Sequence, residues 1–130
     1  MKLAPELLER IVEHARRDAP NECCGLVGVR DGVAFDVVET ANSEASPFRF
    51  NIDGRELFRA IQRIEDAGGD LGAVYHSHTR SEPFPSQTDI TFAANWPGVE
   101  WIIVGLARGA EPEVRSYLID GGEVTEVGVA

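Results

Sequence analysis

The sequence is short of basic residues and of long apolar stretches. Its 130 residues contain 12 lysines and arginines against 22 acidic residues, which gives a formal charge of −10. A nucleic-acid surface needs lysine and arginine to meet phosphate, so this balance argues against such a partner. No apolar run approaches the roughly 20 residues of a membrane-spanning helix. The charged, amphipathic N-terminal segment also lacks the apolar core of a secretory signal. We therefore expect neither a membrane nor a nucleic acid as a partner.

Cysteine is also scarce. The two cysteines, Cys23 and Cys24, are adjacent in the sequence, so we expect no structural disulfide between them. A chain without a disulfide framework suits a reducing compartment, and we predict a cytoplasmic protein. Free cysteine is among the most buried residue types, so both are interpreted as packing residues, one pointing inward from a strand and the other outward.

The rest of the chain alternates helical and extended patterns and is predicted to form one domain over residues 1–130. Helical periodicity predicts helices over 4–18, from Asp53 to the Gly68-Gly69 pair, and over 87–95. Extended patterns predict strands over 24–29, 33–40, 71–78, 99–106, 114–119 and 124–129, and they allow a short strand over 48–50. Hairpins together with a crossover through the second helix predict a mixed α/β fold, in which helices flank a mixed sheet.

Most of the side chains that could bind a metal or take part in catalysis lie in the segment YHSHTRSEPFPSQTD, residues 75–89. His76 and His78 end a predicted strand, whose period of two places both imidazoles on one face. Ser86 has the features of a helix N-cap, and Asp89 follows in the first turn, where the chain can fold back on the histidines. Two histidines and one carboxylate with an open fourth position form the ligand set of a catalytic zinc. A non-haem iron centre uses the same ligand types.

This spacing, H-x-H-x7-S-x2-D, resembles the motif of the JAMM/MPN+ zinc metallopeptidases. Glu22, in the segment NECCGLVG after the first helix, matches the upstream glutamate of that motif. The resemblance covers essentially the whole chain and implies an MPN fold, a curved mixed sheet sandwiched by helices. It also implies one zinc ion per chain, held by His76, His78 and Asp89. Glu22 would then be the general base and Ser86 the donor to the oxyanion, and these two roles favour zinc over iron.

Each of these residues also has a purely structural interpretation. Ser86 can be only an N-cap, and capping competes with an oxyanion role for the same hydroxyl. Asp89 can be a capping-box acid, which is compatible with binding a metal. Glu22 can be a surface acid ahead of a strand. His14 lies on the first helix, away from the motif, and is expected to be solvated.

A cysteine peptidase is a weaker hypothesis for the same residues. It would need a base and an orienting group beside Cys23 or Cys24, and the histidines fit better as metal ligands. A zinc deaminase would need H-x-E together with P-C-x-x-C, and the sequence contains neither pattern.

Within the family, the chain is most similar to the small stand-alone bacterial peptidases that release cysteine from a ubiquitin-like sulfur-carrier protein. This resemblance implies hydrolysis after the terminal Gly-Gly of the carrier, whose C-terminal tail would be the partner. A second hypothesis is an isopeptidase that removes ubiquitin-like modifiers from lysine, although such enzymes usually carry insertions and the connections here are short. A third is a non-catalytic MPN scaffold, which would lack the ligands. The sequence leaves the oligomeric state open.

Overall fold

Helices and strands follow one another in the mixed order that the sequence predicts. The computed structural model describes residues 1–107 and 111–129. In these residues the elements are α1 (Pro5–Asp18), β1 (Cys24–Arg30), β2 (Val33–Thr40), α2 (Gly54–Asp66), β3 (Asp70–His78), α3 (Gln87–Ala93), β4 (Glu100–Gly105), β5 (Glu113–Asp120) and β6 (Glu123–Val127). The loop predicted between β4 and β5 includes residues 108–110, which lie outside the described residues. None of the described helices is long and apolar enough to cross a bilayer.

The strands form one six-stranded sheet in the order β2-β1-β3-β4-β5-β6. The pair β3 and β4 runs parallel, and the other neighbouring pairs are antiparallel. Helix α2 carries the chain from β2 past β1 to β3, and α3 connects the two parallel strands. Strand β3 therefore lies inside the sheet, and its carboxyl end faces the start of α3. Ligand sites of mixed and parallel sheets commonly lie at such carboxyl ends.

Helices cover both faces of the sheet and create two separate apolar clusters. Ile11 and Ala15 of α1 pack against one face. Ala60 and Ile64 of α2, together with Ala93 of α3, pack against the other face. The predicted fold class, a mixed sheet sandwiched by helices, is confirmed.

The two cysteines contribute to different clusters. Cys23 is buried on the α1 side of the sheet and Cys24 on the α2 side, and both are free thiols. Their side chains point in opposite directions, but neither faces solvent because both faces are covered. Burial raises the pKa of Cys23 to about 12 and that of Cys24 to about 11. Thiols in this state are poor nucleophiles, which disfavours the cysteine peptidase hypothesis.

The short strand that the alternation allows at residues 48–50 does not form, because these residues are part of a loop. The loop is held by the side chain of Asn42 rather than by a neighbouring strand. Asn42 Nδ2 donates to the carbonyl of Arg49, and Asn42 Oδ1 accepts from the backbone N–H of Asn51, each at 3.0 Å. Phe48, at the tip, is 70% exposed. A side-chain amide that satisfies backbone groups removes the need for strand pairing.

One face of α2 packs against the sheet, and Phe58 lies outside that face. Ile64 is fully buried and Ala60 is nearly so, whereas Phe58 is 64% exposed. Positions 57, 60, 61 and 64 form the repeat that faces the sheet, and position 58 lies beside this repeat on the helix surface.

The solvated environment predicted for His14 is also wrong. His14 is 3% exposed, because it follows Ile11 by three residues and therefore shares the buried face of α1. Its Nδ1 lies 2.6 Å from the hydroxyl of Tyr75, and its Nε2 lies 3.2 Å from Asp18 Oδ2. The imidazole thus links α1 to the middle of β3 on the face opposite His76.

The His14 contact predicts a stability effect. We expect His14→Ala to lower the free energy of unfolding by about 1–3 kcal/mol, because the change leaves the buried Tyr75 hydroxyl without its partner. Chemical denaturation measures the change. Glu13→Ala, at an exposed position of the same helix, is the matched control and is expected to stay within about 0.5 kcal/mol of the wild type. Equal stability of the two variants would mean that His14 is solvated after all.

Candidate metal centre

Pairing between β1 and β3 brings Glu22 to the end of β3. Cys24 lies opposite His76 in this antiparallel pair. The two chains stay together beyond the start of β1, because the N–H of Cys23 donates to Ser77 Oγ at 2.8 Å and the N–H of Ser77 donates to the carbonyl of Cys23 at 3.2 Å. Glu22, one residue further along, therefore lies beside the last residues of β3.

His76 and His78 point to the same side of β3, and Ser77 points to the other side. The two ring centroids are 5.0 Å apart. Ligand atoms of Glu22, His76 and His78 all lie within 4.8 Å of one another, and all three residues are buried. These three residues could hold a metal ion, and Asp89 approaches the group through one of the histidines.

Asp89 has two roles in the structure, one for each carboxylate oxygen. Its Oδ2 accepts the backbone N–H of Ser86 at 2.9 Å, which completes a capping box at the start of α3. Its Oδ1 lies 2.9 Å from His76 Nε2. The residue is fully buried. The helix start thus aims one carboxylate oxygen at the histidines, as the spacing of the motif predicts.

The unpaired atoms in this group fit a metal ion. Apart from the ion-pair contact between Nε2 and Oδ1, both ring nitrogens of His76 and Oδ1 of Asp89 are buried without a hydrogen-bond partner among the described residues. Buried polar atoms are usually paired, and leaving them unpaired costs free energy. A divalent ion that accepts imidazole and carboxylate ligands, such as zinc, would satisfy these atoms.

The hydrogen bonding of His78 prepares its other nitrogen to bind a metal. His78 Nδ1 lies 2.7 Å from the carbonyl oxygen of Glu82, and since a carbonyl only accepts, Nδ1 carries the proton. The lone pair is then on Nε2. Burial, followed by the proximity of His76, lowers the pKa of His78 and keeps the ring neutral. A neutral imidazole with one nitrogen fixed by a carbonyl is typical of a metal-binding histidine.

His76 and Asp89 form a charge-coupled pair. Burial alone would raise the pKa of Asp89, but His76 and the N–H of Ser86 hold it below its usual value. Burial alone would lower the pKa of His76, but the Asp89 and Glu22 carboxylates raise it. A metal ion needs a neutral imidazole, so a cation bound by this pair would take the place of a proton on His76.

The environment of Glu22 differs from that of Asp89. Burial raises the pKa of the Glu22 carboxyl to about 7, an effect that His76 reduces and Asp89 reinforces. A carboxylate with a pKa near neutrality is suited to take and return a proton. Its backbone is fixed on both sides, because its N–H donates to the carbonyl of Ser46 at 2.8 Å and its carbonyl accepts from Asn42 Nδ2 at 3.0 Å.

Ser86 caps α3 and also lines the cleft above the histidines. Its Oγ lies 3.4 Å from the N–H of Asp89 and 3.3 Å from Asp89 Oδ2, both long distances. Since a cap accepts through a lone pair, the hydroxyl proton can turn towards the cleft. Capping and donation to a substrate oxygen are therefore compatible in this geometry.

The cleft has a volume of about 80 Å³. Its lining combines the motif residues with the loop before α2: Glu22, Phe48, Arg49, Phe50, His76, His78, Ser86 and Thr88. Phe50 stacks on His76 with ring centroids 4.4 Å apart. The alternating pattern of residues 48–50 allowed a short strand and did not indicate that these residues line the cleft. The signal that could have located the loop is Asn42, whose Oδ1 accepts the N–H of Glu44 in an Asx turn.

Comparison with known proteins identifies the family. A model of the prokaryotic homologues of the JAB domain matches residues 4–120. The chain belongs to this family. The CysO-cysteine peptidase of Mycobacterium tuberculosis is 35% identical in an alignment of 123 residues that covers 93% of this chain and 84% of that protein. The desampylase of Haloferax volcanii is 31% identical in an alignment of 137 residues, gaps included, that covers 100% of this chain and 95% of that protein.

A third relative is a probable TtuB-protein conjugate cleaving protease of Thermus thermophilus. It is 34% identical over 118 residues, and the alignment covers 90% of this chain and 74% of that protein. Among solved structures, protein DSY2949 from Desulfitobacterium hafniense is 32% identical, with a TM-score of 0.83 over 99% of this chain and 90% of that one. A structure described as JAMM, a metalloprotease-like zinc site in the proteasome and signalosome, shares the fold at 19% identity, with a TM-score of 0.64 over 99% and 94% of the two chains. The predicted resemblance to the JAMM/MPN+ family is confirmed.

The geometry predicts which substitutions remove the metal. We expect close to one zinc ion per chain, and we expect His76→Ala and Asp89→Ala to lose it because each removes an atom of the predicted ligand set. Elemental analysis of protein prepared without chelators measures the content. Ser86→Ala removes the cap but no ligand and is expected to keep the zinc.

Glu22→Gln distinguishes the two candidate carboxylates. If Glu22 is a base rather than a ligand, this variant keeps its zinc. Loss of zinc in Glu22→Gln together with retention in Asp89→Ala would make Glu22 the third ligand and contradict the predicted set.

Proposed function

We propose that the protein is a zinc-dependent metallopeptidase that hydrolyses the bond after the C-terminal Gly-Gly of a ubiquitin-like sulfur-carrier protein. The released group would be cysteine or a similarly small amine. The observation that carries the proposal is the buried group of Glu22, His76 and His78, whose ligand atoms lie within 4.8 Å of one another beside Asp89. We assign His76, His78 and Asp89 as the ligands of one zinc ion.

Zinc in this position would supply a Lewis acid that polarises the scissile carbonyl and lowers the pKa of water. The chain's own residues would manage the protons. Glu22 takes a proton from the attacking water, the carbon–nitrogen bond of the amide breaks, and Glu22 returns the proton to the leaving amine. Its raised pKa of about 7 suits both steps.

Ser86 is proposed to stabilise the oxyanion that forms when water adds to the carbonyl. Its side chain lines the cleft, and its hydroxyl proton can turn away from Asp89. A donor aimed at a developing oxyanion typically contributes about 3–4 kcal/mol at the transition state. The same residue would cap α3, so its removal would combine a catalytic effect with a smaller structural one.

An extended glycine tail fits a site of this kind. The scissile carbonyl must come close to buried groups at the end of β3, and a chain without side chains can approach most closely. The open cleft would receive such a tail as an extended strand. The buried free cysteines are consistent with the cytoplasm, where sulfur-carrier chemistry of this type would take place.

The second candidate is an isopeptidase that removes a ubiquitin-like modifier from lysine. It is favoured by the desampylase relative, which is aligned over the whole of this chain. Both candidates use the same metal and the same proton transfers, and they differ in the leaving group. A non-catalytic scaffold is disfavoured because the full set of predicted ligands is present.

Removing the proposed base tests the mechanism. We expect Glu22→Gln to retain zinc and to lose about 10²–10⁴-fold in turnover, because an amide cannot accept the proton. Steady-state hydrolysis and zinc content are measured on the same preparation. Glu9→Gln, the same change at an exposed position of α1, is the control and should match the wild type. A rate for Glu22→Gln close to that of the control would remove Glu22 from the mechanism.

Direct competition tests the substrate. We expect a carrier that ends in Gly-Gly-Cys to be cleaved with a higher kcat/KM than the same carrier joined to a lysine side chain of a folded protein, because a small leaving group needs no contact surface for a second protein. Mass spectrometry of the two substrates in one reaction gives the ratio. Equal or faster cleavage of the lysine conjugate would favour the isopeptidase.

A further inference from the structure

We propose that Arg49 binds the α-carboxylate of the leaving group and thereby selects scissile bonds to a C-terminal residue. This inference rests on the proposed function, because it names the substrate class of the same cleft. Arg49 would be a specificity residue, and Glu22 and Ser86 would keep the chemical roles proposed above.

The first support is the position of Arg49. It lines the same cleft as Glu22, His76 and His78. Its side chain is 73% exposed, and its Nε lies 3.8 Å from Glu44 Oε2. An exposed pair at this distance contributes little free energy, so a substrate carboxylate can replace Glu44 as the partner.

The second support is the charge around the cleft. The whole chain has a formal charge of −10, and the proposed zinc would offset the carboxylates at the site itself but not the acidic surface around it. A leaving group that carries a further carboxylate would be repelled unless a cation lies nearby. Among the described residues that line the cleft, Arg49 supplies that cation. A second guanidinium lies nearby, because Arg80 is 5.4 Å from the ring centroid of Phe48, which also lines the cleft.

The third support is the way in which the loop holds Arg49. Asn42 Nδ2 donates to the carbonyl of Arg49 and to the carbonyl of Glu22, each at 3.0 Å. One amide group therefore fixes the backbone of the proposed base relative to the backbone of the proposed carboxylate-binding residue. Such preorganisation lowers the entropy lost on binding.

The chemistry of the two candidate leaving groups explains why this residue would discriminate. In a carrier–cysteine adduct, the α-carboxylate is separated from the scissile nitrogen by a single carbon atom, the α-carbon. In a lysine conjugate, the scissile nitrogen is at the end of a long aliphatic side chain and has no carboxylate beside it. A guanidinium binds a carboxylate through two parallel hydrogen bonds, so Arg49 would recognise the first leaving group and not the second.

The test compares two carrier substrates that differ only at the end of the chain. One ends in Gly-Gly-Cys with a free carboxylate, and the other ends in the corresponding carboxamide. We expect the zinc-loaded wild type to prefer the acid by about 10–100-fold in kcat/KM, the range expected for a hydrogen-bonded charge. Arg49→Gln should abolish this preference, and it should slow cleavage of the acid more than cleavage of the amide. Arg49→Lys, which keeps the charge but loses the paired donors, should retain part of the preference.

Arg17→Gln provides the matched control. It makes the same change in charge on α1, where Arg17 pairs with Glu39 on the other side of the sheet, and it should keep the acid-to-amide ratio of the wild type. An unchanged ratio in Arg49→Gln, with both substrates still cleaved, would overturn the role of Arg49 and leave the proposed function intact. If the zinc-loaded wild type cleaves neither carrier substrate, the proposed function and the role of Arg49 are both wrong.

Discussion

The pairing of β1 with β3 is the constraint on which the rest of the structure depends. Because side chains alternate along a strand, a shift of one residue would turn every side chain of β3 to the opposite face. The register is fixed on the α1 side, where Tyr75 lies opposite Gly25 and a Cβ at Gly25 would come within 2.4 Å of the Tyr75 ring. His14 then holds the Tyr75 hydroxyl at 2.6 Å. Packing on one face of the sheet therefore places His76 correctly on the other face.

Asp89 connects the start of α3 to the histidines of the candidate metal centre. One of its oxygens completes the capping box of α3, and the other lies 2.9 Å from His76. A helix of seven residues has little stability of its own, so α3 depends on its cap and on packing. The carboxylate that we assign to the metal is thus positioned by the same contacts that start the helix. Ser86, the other member of the capping box, is brought to the cleft by the same turn.

Local patterns were sufficient to predict the elements and the grouping of the motif residues. The alternation along β3 predicted that His76 and His78 share a face, and the spacing from Ser86 predicted that Asp89 lies in the first turn of α3. The errors concern side-chain contacts that the periodicity of a segment does not report. His14 is buried because Tyr75, 61 residues away, supplies a partner for its imidazole. Arg49 belongs to a loop because the side chain of Asn42 satisfies its backbone, and no local periodicity reports such a contact.

The two thiols have a consequence for a protein proposed to release cysteine. Such a product is itself a thiol, and an exposed cysteine on the protein could form mixed disulfides with it or with its oxidised form. The sequence contains two cysteines, Cys23 and Cys24. Both are fully buried, and their pKa values are raised well above neutrality. Thiol–disulfide exchange requires an accessible thiolate, and neither residue offers one. The layering of helices on both faces of the sheet would thus make the protein chemically inert towards the compound that it is proposed to generate.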